Sequence, residues 1–502
     1  MEENKDAVQE NPEERTAKVS VIKPTLEFLD PKMPNQQKIA TMARLCYKSE
    51  STGPESDARI VGMCVERGHR SVCEHAMISV VFSQVQIKPE TLKATYGEKH
   101  PALADDPKIS PLSMFSAIDL LPLKFIFNAS DSEIINKLDP KWVEDHKGHI
   151  CNVDVKLGNA RAWYDITDAL CGVGLTNITA YPMIGGLAFK LLDQLNDIVP
   201  AMFCKLYEKY EKTLAEAHKM NQNVPGTMED ARKLLHPEIF DVWANQSASN
   251  ASMSVILRTA RSVTHEIVRH NHSFIAVSQE SQRYVNYQNK GFEFIHPMLD
   301  VVRFADFKLA CKDGVERTID ADGYLPEESF AFEHWFNGRR CDVDEYLDYK
   351  EIGLPPEFDR GCLPNDAATS IGITFTYPSF LNFVRLRLDK TAFFPFRKFV
   401  ARMLVEGYSI QHPFLMSLAY DKEGAEMVKY WMLAIKDNNL YTNTEMIDDI
   451  IKKIDSHISR LDESAKAAQE QLKKIQEHNE QKAKERAEAA PAQDAPAAPS
   501  AE

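Results

Sequence analysis

Two runs of β-branched residues, AMISVVFSQV at 76–85 and SIGITFTY at 370–377, constrain the fold most. Each is short and apolar, the signature of a buried strand. They stand far apart in the chain, and most of what lies between them carries helical spacing. The predicted class is therefore α+β, a sheet-containing core with long helical insertions. FEFIHP at 292–297 reads as a further short strand. Helices are predicted over Asn35–Ser49, where Ile39, Met42, Ala43 and Cys46 recur, and over Asp57–Glu66. The stretch from Leu187 to Met220 is the clearest helical region, interrupted near Pro200. Further helical spacing covers 258–270, 378–392 and 396–408, while 302–360 reads as a charged, irregular surface excursion.

Near the end, Ile447, Ile451, Ile454, Ile458, Leu461, Ala465, Ala468, Leu472 and Ile475 follow a 4-3-4-3 spacing. That heptad pattern predicts a long helix, either self-associating or lying on the body of the protein. The first residues, 1–17, and the Ala/Pro-rich tail, 481–502, have the composition of disordered segments.

Composition excludes several classes. No apolar run approaches the ~20 residues of a membrane helix. The polar, acidic start is neither a signal nor a transit peptide. Nine cysteines without a CxxC pair point to reduced thiols and a cytoplasmic setting. With 59 basic and 74 acidic residues the formal charge is −15, so long nucleic acid is not an expected partner. An anionic ligand would need arginines concentrated locally.

One stretch offers that concentration. RHNHSFIAVSQESQRYVNY, 269–287, follows a helical face bearing Arg258, Arg261, Ser262, His265 and Arg269, opposite Ala260, Val263, Ile267 and Val268. Such a stripe is as readily a solvated face. Arginine forks and serine hydroxyls are also the donors a phosphate requires. A metal is not expected: HEIVRH has one residue more than the HExxH motif, and His265 and His270, five apart, do not share a helix face. No GxSxG elbow is present. Arg387, at the border of an apolar face with Phe380, Phe383 and Val384, either covers that face or aims a charge into a pocket. Arg385 is placed to pair with Asp389.

Three separated blocks resemble the flavin-dependent thymidylate synthases. GHRSVCEHAMISVVF (68–82) is similar to that family's Glu-His segment running into a strand. VTHEIVRH with SQESQRYVNY (263–287) resembles its signature helix and Ser-x-Arg-Tyr sequel. RGCLPNDAATSIGITFTYPSFLNFVRLRLDKTAFF (360–394) is similar to its arginine, Leu-Pro, strand and Leu-Arg segment, and ARLCYKS (43–49) also fits. The resemblance implies a mixed or antiparallel sheet flanked by helices. It further implies a homotetramer with active sites shared between subunits, binding FAD and dUMP. Methylenetetrahydrofolate would supply the one-carbon unit and NADPH would reduce the flavin, with dTMP as product and no protein nucleophile. In keeping with this, no cysteine here is preceded by proline or followed by histidine.

Carried over by position, His75, Arg269, His270, Asn271 and Asn382 are expected at the FAD. Arg269, Ser281, Arg283, Arg360 and Arg387 are expected at dUMP, with Arg387 also catalytic, orienting and polarising the pyrimidine. The chain departs from the family pattern in four places, one being AFFP (392–395) in place of an Ala-Gln-x-Glu stretch. Asn271 stands where arginine is usual. Nine residues separate Asn271 from Ser281 where the family has seven. TYP (376–378) replaces an Asn-Ala-Arg segment. These departures leave two alternatives: a one-carbon transferase acting on another pyrimidine nucleotide, or an inactive nucleotide-binding or assembly homologue. The expected organisation is core segments at 18–90, 251–301 and 359–440. They are separated by a largely helical insertion at 91–250 and a surface insertion at 302–358, and followed by the heptad helix at 441–480.

Overall fold

The computed structural model describes residues 17–85, 127–128, 151–175, 182–233, 240–245, 252–270, 275–296, 308–318, 327 and 329–488. The predicted disordered ends lie outside these residues apart from Ala17 and the final turns of the last helix. Asn271 lies outside them too.

In chain order, β1 (Val19–Val21) and β2 (Thr25–Phe28) precede α1 (Asn35–Tyr47) and α2 (Pro54–Glu66). A 3-10 turn, Arg70–His75, leads into β3 (Met77–Val85), followed by β4 (Phe127–Asn128) and β5 (Cys151–Asn159). Three longer helices come next: α3 (Ala160–Gly174), α4 (Pro182–Ile198) and α5 (Pro200–Met220). Then follow β6 (Phe240–Asn245), β7 (Ser252–Ala260), α6 (Arg261–Ile267), β8 (Ala276–Gln279) and β9 (Phe292–Phe294). The hairpin strands β10 (Lys308–Ala310) and β11 (Glu316–Thr318) precede α7 (Phe330–Glu351) and β12 (Ala368–Thr376). The remaining longer helices are α8 (Tyr377–Arg387), α9 (Phe394–Ser409), α10 (Lys422–Asp437) and α11 (Thr444–Glu488).

The α+β class is as expected, and the sheets are largely antiparallel. One has the order β2-β7-β12-β8 and another β4-β5-β3-β6, while β1 pairs with β9 in parallel. Both β-branched runs are strands, and all nine residues of β12 are buried. A strand sealed on both faces reads as a continuous apolar run, not as an alternation. On one face α1 lies so close that a Cβ at Gly372 would overlap the Met42 sulfur and sit 2.9 Å from Leu45 Cδ1. Glycine is what permits that approach. The break near Pro200 is real: Pro200 opens α5, where its missing N–H costs no hydrogen bond.

Three readings are corrected. Residues 258–260 are not helical, because β7 continues through Ala260 and is hydrogen-bonded to β2 on one side and β12 on the other. Its ladder satisfies the backbone that a helix would otherwise satisfy. Arg258 therefore belongs to the sheet and not to the helical stripe. The stretch 302–360 is not irregular, since α7 occupies 22 of its residues, capped by Ser329, whose hydroxyl accepts from Phe332 N at 3.1 Å. Only Val343 and Tyr346 of that helix are buried, so its sequence shows little apolar periodicity. Finally, α8 ends at Arg387, and Arg385 donates to Asn382 Oδ1 at 3.1 Å instead of pairing with Asp389.

By its contacts the chain divides into two compact units, 1–403 with 412–414, and 404–411 with 415–502. The first holds the sheets and a core built from α1–α5 and β3, with Trp163 and Phe203 fully buried. In the second, α10 and α11 run antiparallel. Ala425, Val428, Met432 and Ile435 face Ile447, Ile450 and Ile454, all buried.

Candidate functional site

The site is built on α6, a short helix between a central strand and the signature loop. Arg261 and His265 lie one turn apart on it, and Arg269 follows in the turn just after its end. Arg261 is half-buried. Its pKa is lowered by burial, with Arg360 adding to the shift and Tyr287 and Glu280 opposing it. His265 is held below the usual histidine value by burial and then by Arg261 and Arg269. The row is thus cationic enough to resist a further proton.

At one end of the row, the third motif block meets the second. Arg387, from α8, donates through Nε to His270 Nε2 and through Nη1 to Glu266 Oε2 at 3.4 Å. Its guanidinium lies 5.0 Å from the centre of the Phe396 ring. Burial lowers the Arg387 pKa, Arg269 lowers it further and Glu266 opposes both. His270 is buried edge-on to Phe383 at 5.0 Å and Phe396 at 6.2 Å. Glu266 also takes Arg269 at 3.1 Å, but the Arg269 side chain stays 70% exposed. The guanidinium itself thus lies over the Phe396 ring and is held by His270 and Glu266.

At the other end, Arg283 reaches Glu357 at 3.7 Å, and Arg360 Nε donates to the Glu357 carbonyl at 3.2 Å. Arg283 lies 5.7 Å from the Tyr284 ring centre, and Tyr284 is exposed and packs against Tyr47 at 5.6 Å. Ser281 fixes the turn: its N–H donates to the Cys46 carbonyl at 3.0 Å, and its hydroxyl accepts from Arg283 N at 3.3 Å. That bond joins the ARLCYKS segment to the signature loop.

Beneath the row is a group that sequence reasoning missed. Glu280 is buried between strands and accepts from the Tyr287 hydroxyl at 2.8 Å, Arg258 Nη1 at 3.5 Å and Ser370 N at 3.4 Å. Arg258 also pairs with Glu293 and donates to Ser370 Oγ at 2.7 Å. Burial, followed by Glu280, raises the Tyr287 pKa strongly. Nothing in the spacing of Glu280 announces it, because its partners come from three segments. Glu266 and Glu357 were missed as well; the i, i+3 spacing of Glu266 and Arg269 was the available clue.

Not every expected residue joins the row. His75 is fully buried, with Nδ1 2.8 Å from Thr374 Oγ1 and Nε2 3.0 Å from Ser278 Oγ. Both ring nitrogens are thereby occupied by strand hydroxyls, and His75 ties β12 to β8. Asn382 is half-buried on α8 and accepts from Arg385. Among the described residues no cluster of three or more His, Cys, Asp or Glu side chains could hold a metal. Nor is any described helix long and apolar enough to cross a membrane.

Residues 190–410 match the family described as Thymidylate synthase complementing protein. The second and third motif blocks fall inside that match, which bears out the resemblance read from them. No curated protein matches the sequence significantly. Among solved structures, the chain is similar to a UMP/dUMP methylase PolB from Streptomyces cacaoi bound with 5-Br UMP. That likeness has 17% identity, a TM-score of 0.24, and covers 31% of this chain and 67% of the other. The same methylase bound with 5-Br dUMP gives 17% identity, a TM-score of 0.24, and coverage of 31% and 64%.

Proposed function

We propose that this chain, matched over residues 190–410 by the thymidylate synthase complementing protein family, is a flavin-dependent thymidylate synthase converting dUMP to dTMP. The observation that carries the reading is the row on α6. Five arginines (Arg261, Arg269, Arg283, Arg360 and Arg387) stand there against two carboxylates, Glu266 and Glu357, in a chain whose net charge is −15. Local cations in an acidic protein are what a multiply anionic ligand requires. FAD, dUMP and methylenetetrahydrofolate all carry phosphates or carboxylates, and guanidinium forks suit them.

The donor set fits the flavin and the nucleotide in kind. Exposed Arg269 and Arg283 would take the outer anionic groups, with Ser281 and Arg360 beside Arg283 for the dUMP phosphate. The Glu357 pair is half-exposed and loose at 3.7 Å, so a phosphate can displace it. Arg387 has a different part to play. Its Nε and Nη1 are held by His270 and Glu266, while Nη2 has no hydrogen bond among the described residues. A guanidinium fixed in this way would present Nη2 to a pyrimidine carbonyl and favour negative charge developing there, without reorganising. His270, accepting from Arg387, would hold that orientation at the junction with the flavin, and Asn382 would lie nearby. A flavin reduced by NADPH would supply the reducing equivalents. Four segments distant in sequence build this face, and completion by neighbouring subunits of a homotetramer is part of the proposal.

The test is the visible spectrum of the purified protein with and without dUMP, followed by product mass analysis with methylenetetrahydrofolate and NADPH. Flavin absorption perturbed by dUMP, and dTMP formation, are expected. A protein that stays colourless after FAD is added would overturn the reading. The Asn271 departure makes dCMP and UMP the informative competing substrates; a methylated or hydroxymethylated product from either would transfer the proposal to that nucleotide.

A further inference from the structure

The second unit contains an antiparallel pairing with an unusually regular register. Lys422 meets Asp462 at 2.8 Å, Lys429 meets Asp455 at 2.6 Å and Lys436 meets Asp448 at 2.5 Å. The lysines step by one heptad up α10 as the aspartates step by one heptad down α11. Under these pairs lie the buried Ile447, Ile450 and Ile454. The pairing ends at Lys422 because α10 starts there, but α11 continues to Glu488. From Glu463 to Lys482 every residue is exposed.

The apolar seam does not stop with its cover. The line through Ile447, Ile454 and Leu461 continues to Ala468 and Ile475, and the line through Ile451 and Ile458 continues to Ala465 and Leu472. Leu472 and Ile475 are 59% and 56% exposed. Two small residues are followed by two large ones. In a parallel pair of identical helices the layers would be Ala on Ala twice, leaving voids, then Leu on Leu and Ile on Ile. In an antiparallel pair each layer combines one small and one large side chain: Ala465 with Ile475 and Ala468 with Leu472, each repeated by symmetry. Layers of matched volume are what close packing favours. From Ser464 to His478 the residues flanking the seam, Ser464, Gln469, Gln471, Gln476 and His478, carry no carboxylate or lysine, whereas Lys466, Glu470, Lys473, Lys474 and Glu477 point away from it; Asp462, the next flanking residue, is paired with Lys422. Identical copies therefore meet without like-charge repulsion along the seam.

We infer that residues 464–478 of α11 form a two-fold antiparallel coiled coil with the same segment of a second copy of this chain. It continues the α10–α11 seam into an intermolecular contact, independently of the nucleotide site.

Cysteine cross-linking of the full chain tests it, scored on non-reducing gels against the unsubstituted protein as background. Near the two-fold axis Gln471 faces its own copy, so Gln471→Cys is expected to give a disulfide-linked dimer as the main species. Ser464→Cys alone faces His478 and is expected to stay at background, while the Ser464→Cys/His478→Cys double variant cross-links. Adding Leu472→Asp to Gln471→Cys is expected to return the dimer to background. No dimer with Gln471→Cys overturns the inference. So does a dimer that survives Leu472→Asp, which marks random collision. Equal cross-linking by Ser464→Cys and Gln471→Cys overturns the antiparallel register.

Discussion

Acid should unfold the first unit through its buried histidines. His75, His296 and His412 are 0%, 6% and 3% exposed. Burial pulls their pKa values from 6.5 to about 3, about 4 and about 4, with Lys38 adding to the shift for His75 and His412 and Asp366 opposing it for His296. The folded values lie below the unfolded one. The stabilisation is therefore complete above pH 6.5 and is lost as the pH falls from there towards 4 and 3. At pH 5.5 an unfolded histidine is mostly protonated while the folded one is not, so each contributes a loss of about 1.4 kcal/mol relative to pH 8. Three together cost about 4 kcal/mol, a large share of the 5–15 kcal/mol typical of a folded protein. Urea unfolding at pH 8 and pH 5.5, followed by tryptophan fluorescence, measures the loss. His75→Gln keeps a side chain able to bond Thr374 and Ser278 but cannot titrate, so the loss should fall to about 3 kcal/mol. An unfolding free energy that does not change between the two pH values would refute the reasoning. So would a pH dependence untouched in His75→Gln.

Four further outcomes are expected. Arg387→Ala should leave a soluble, folded protein, because the side chain lies at the edge of the core, yet lower kcat/KM for the nucleotide by about 100-fold or more; unchanged turnover would remove its catalytic role. Arg387→Lys should recover little of that loss in the same assay, since the donors of an ammonium all sit on one nitrogen and cannot reproduce the planar fork in which Nε and Nη1 reach His270 and Glu266 while Nη2 points elsewhere. Gly372→Ala should destabilise by about 1–3 kcal/mol through overpacking against Met42, and the Gly372→Ala/Met42→Ala double variant should cost less than the sum of its parts, as chemical denaturation of the four proteins in that cycle will show. Ending the chain after Asp462 should abolish the inferred contact between copies yet leave the α10–α11 pair folded, because the residues removed are exposed within one copy, whereas Ile454→Ala should cost that pair about 2–4 kcal/mol; chemical denaturation and molecular mass in solution will show both.

Local pattern made much of this protein legible. The strands at 76–85 and 370–377, the helices around 35–49 and 57–66, the break at Pro200 and the long C-terminal helix follow from side-chain periodicity, which reports a segment's own geometry. The motif blocks likewise singled out the segments that build the arginine row. The failures have two causes. Residues 258–260 carry helical spacing but are strand, because β12 pairs with all three and β2 with Arg258. The helix α7 buries so few side chains that its period is faint.

What the sequence determined by itself is which residues carry charge, which segments are apolar, and that arginines cluster in an acidic chain. Tertiary structure alone decided how those charges are used. Arg258 became a sheet residue paired with Glu280 and Glu293, His75 a buried tie between strands, and Arg387 a guanidinium held by His270 and Glu266. The physical reason is distance along the chain. Thr374 lies 299 residues from His75, and His270 lies 117 from Arg387. Periodicity describes neighbours within a few turns or rungs. A hydrogen bond or an ion pair depends on atoms a few ångströms apart, whichever segments bring them together.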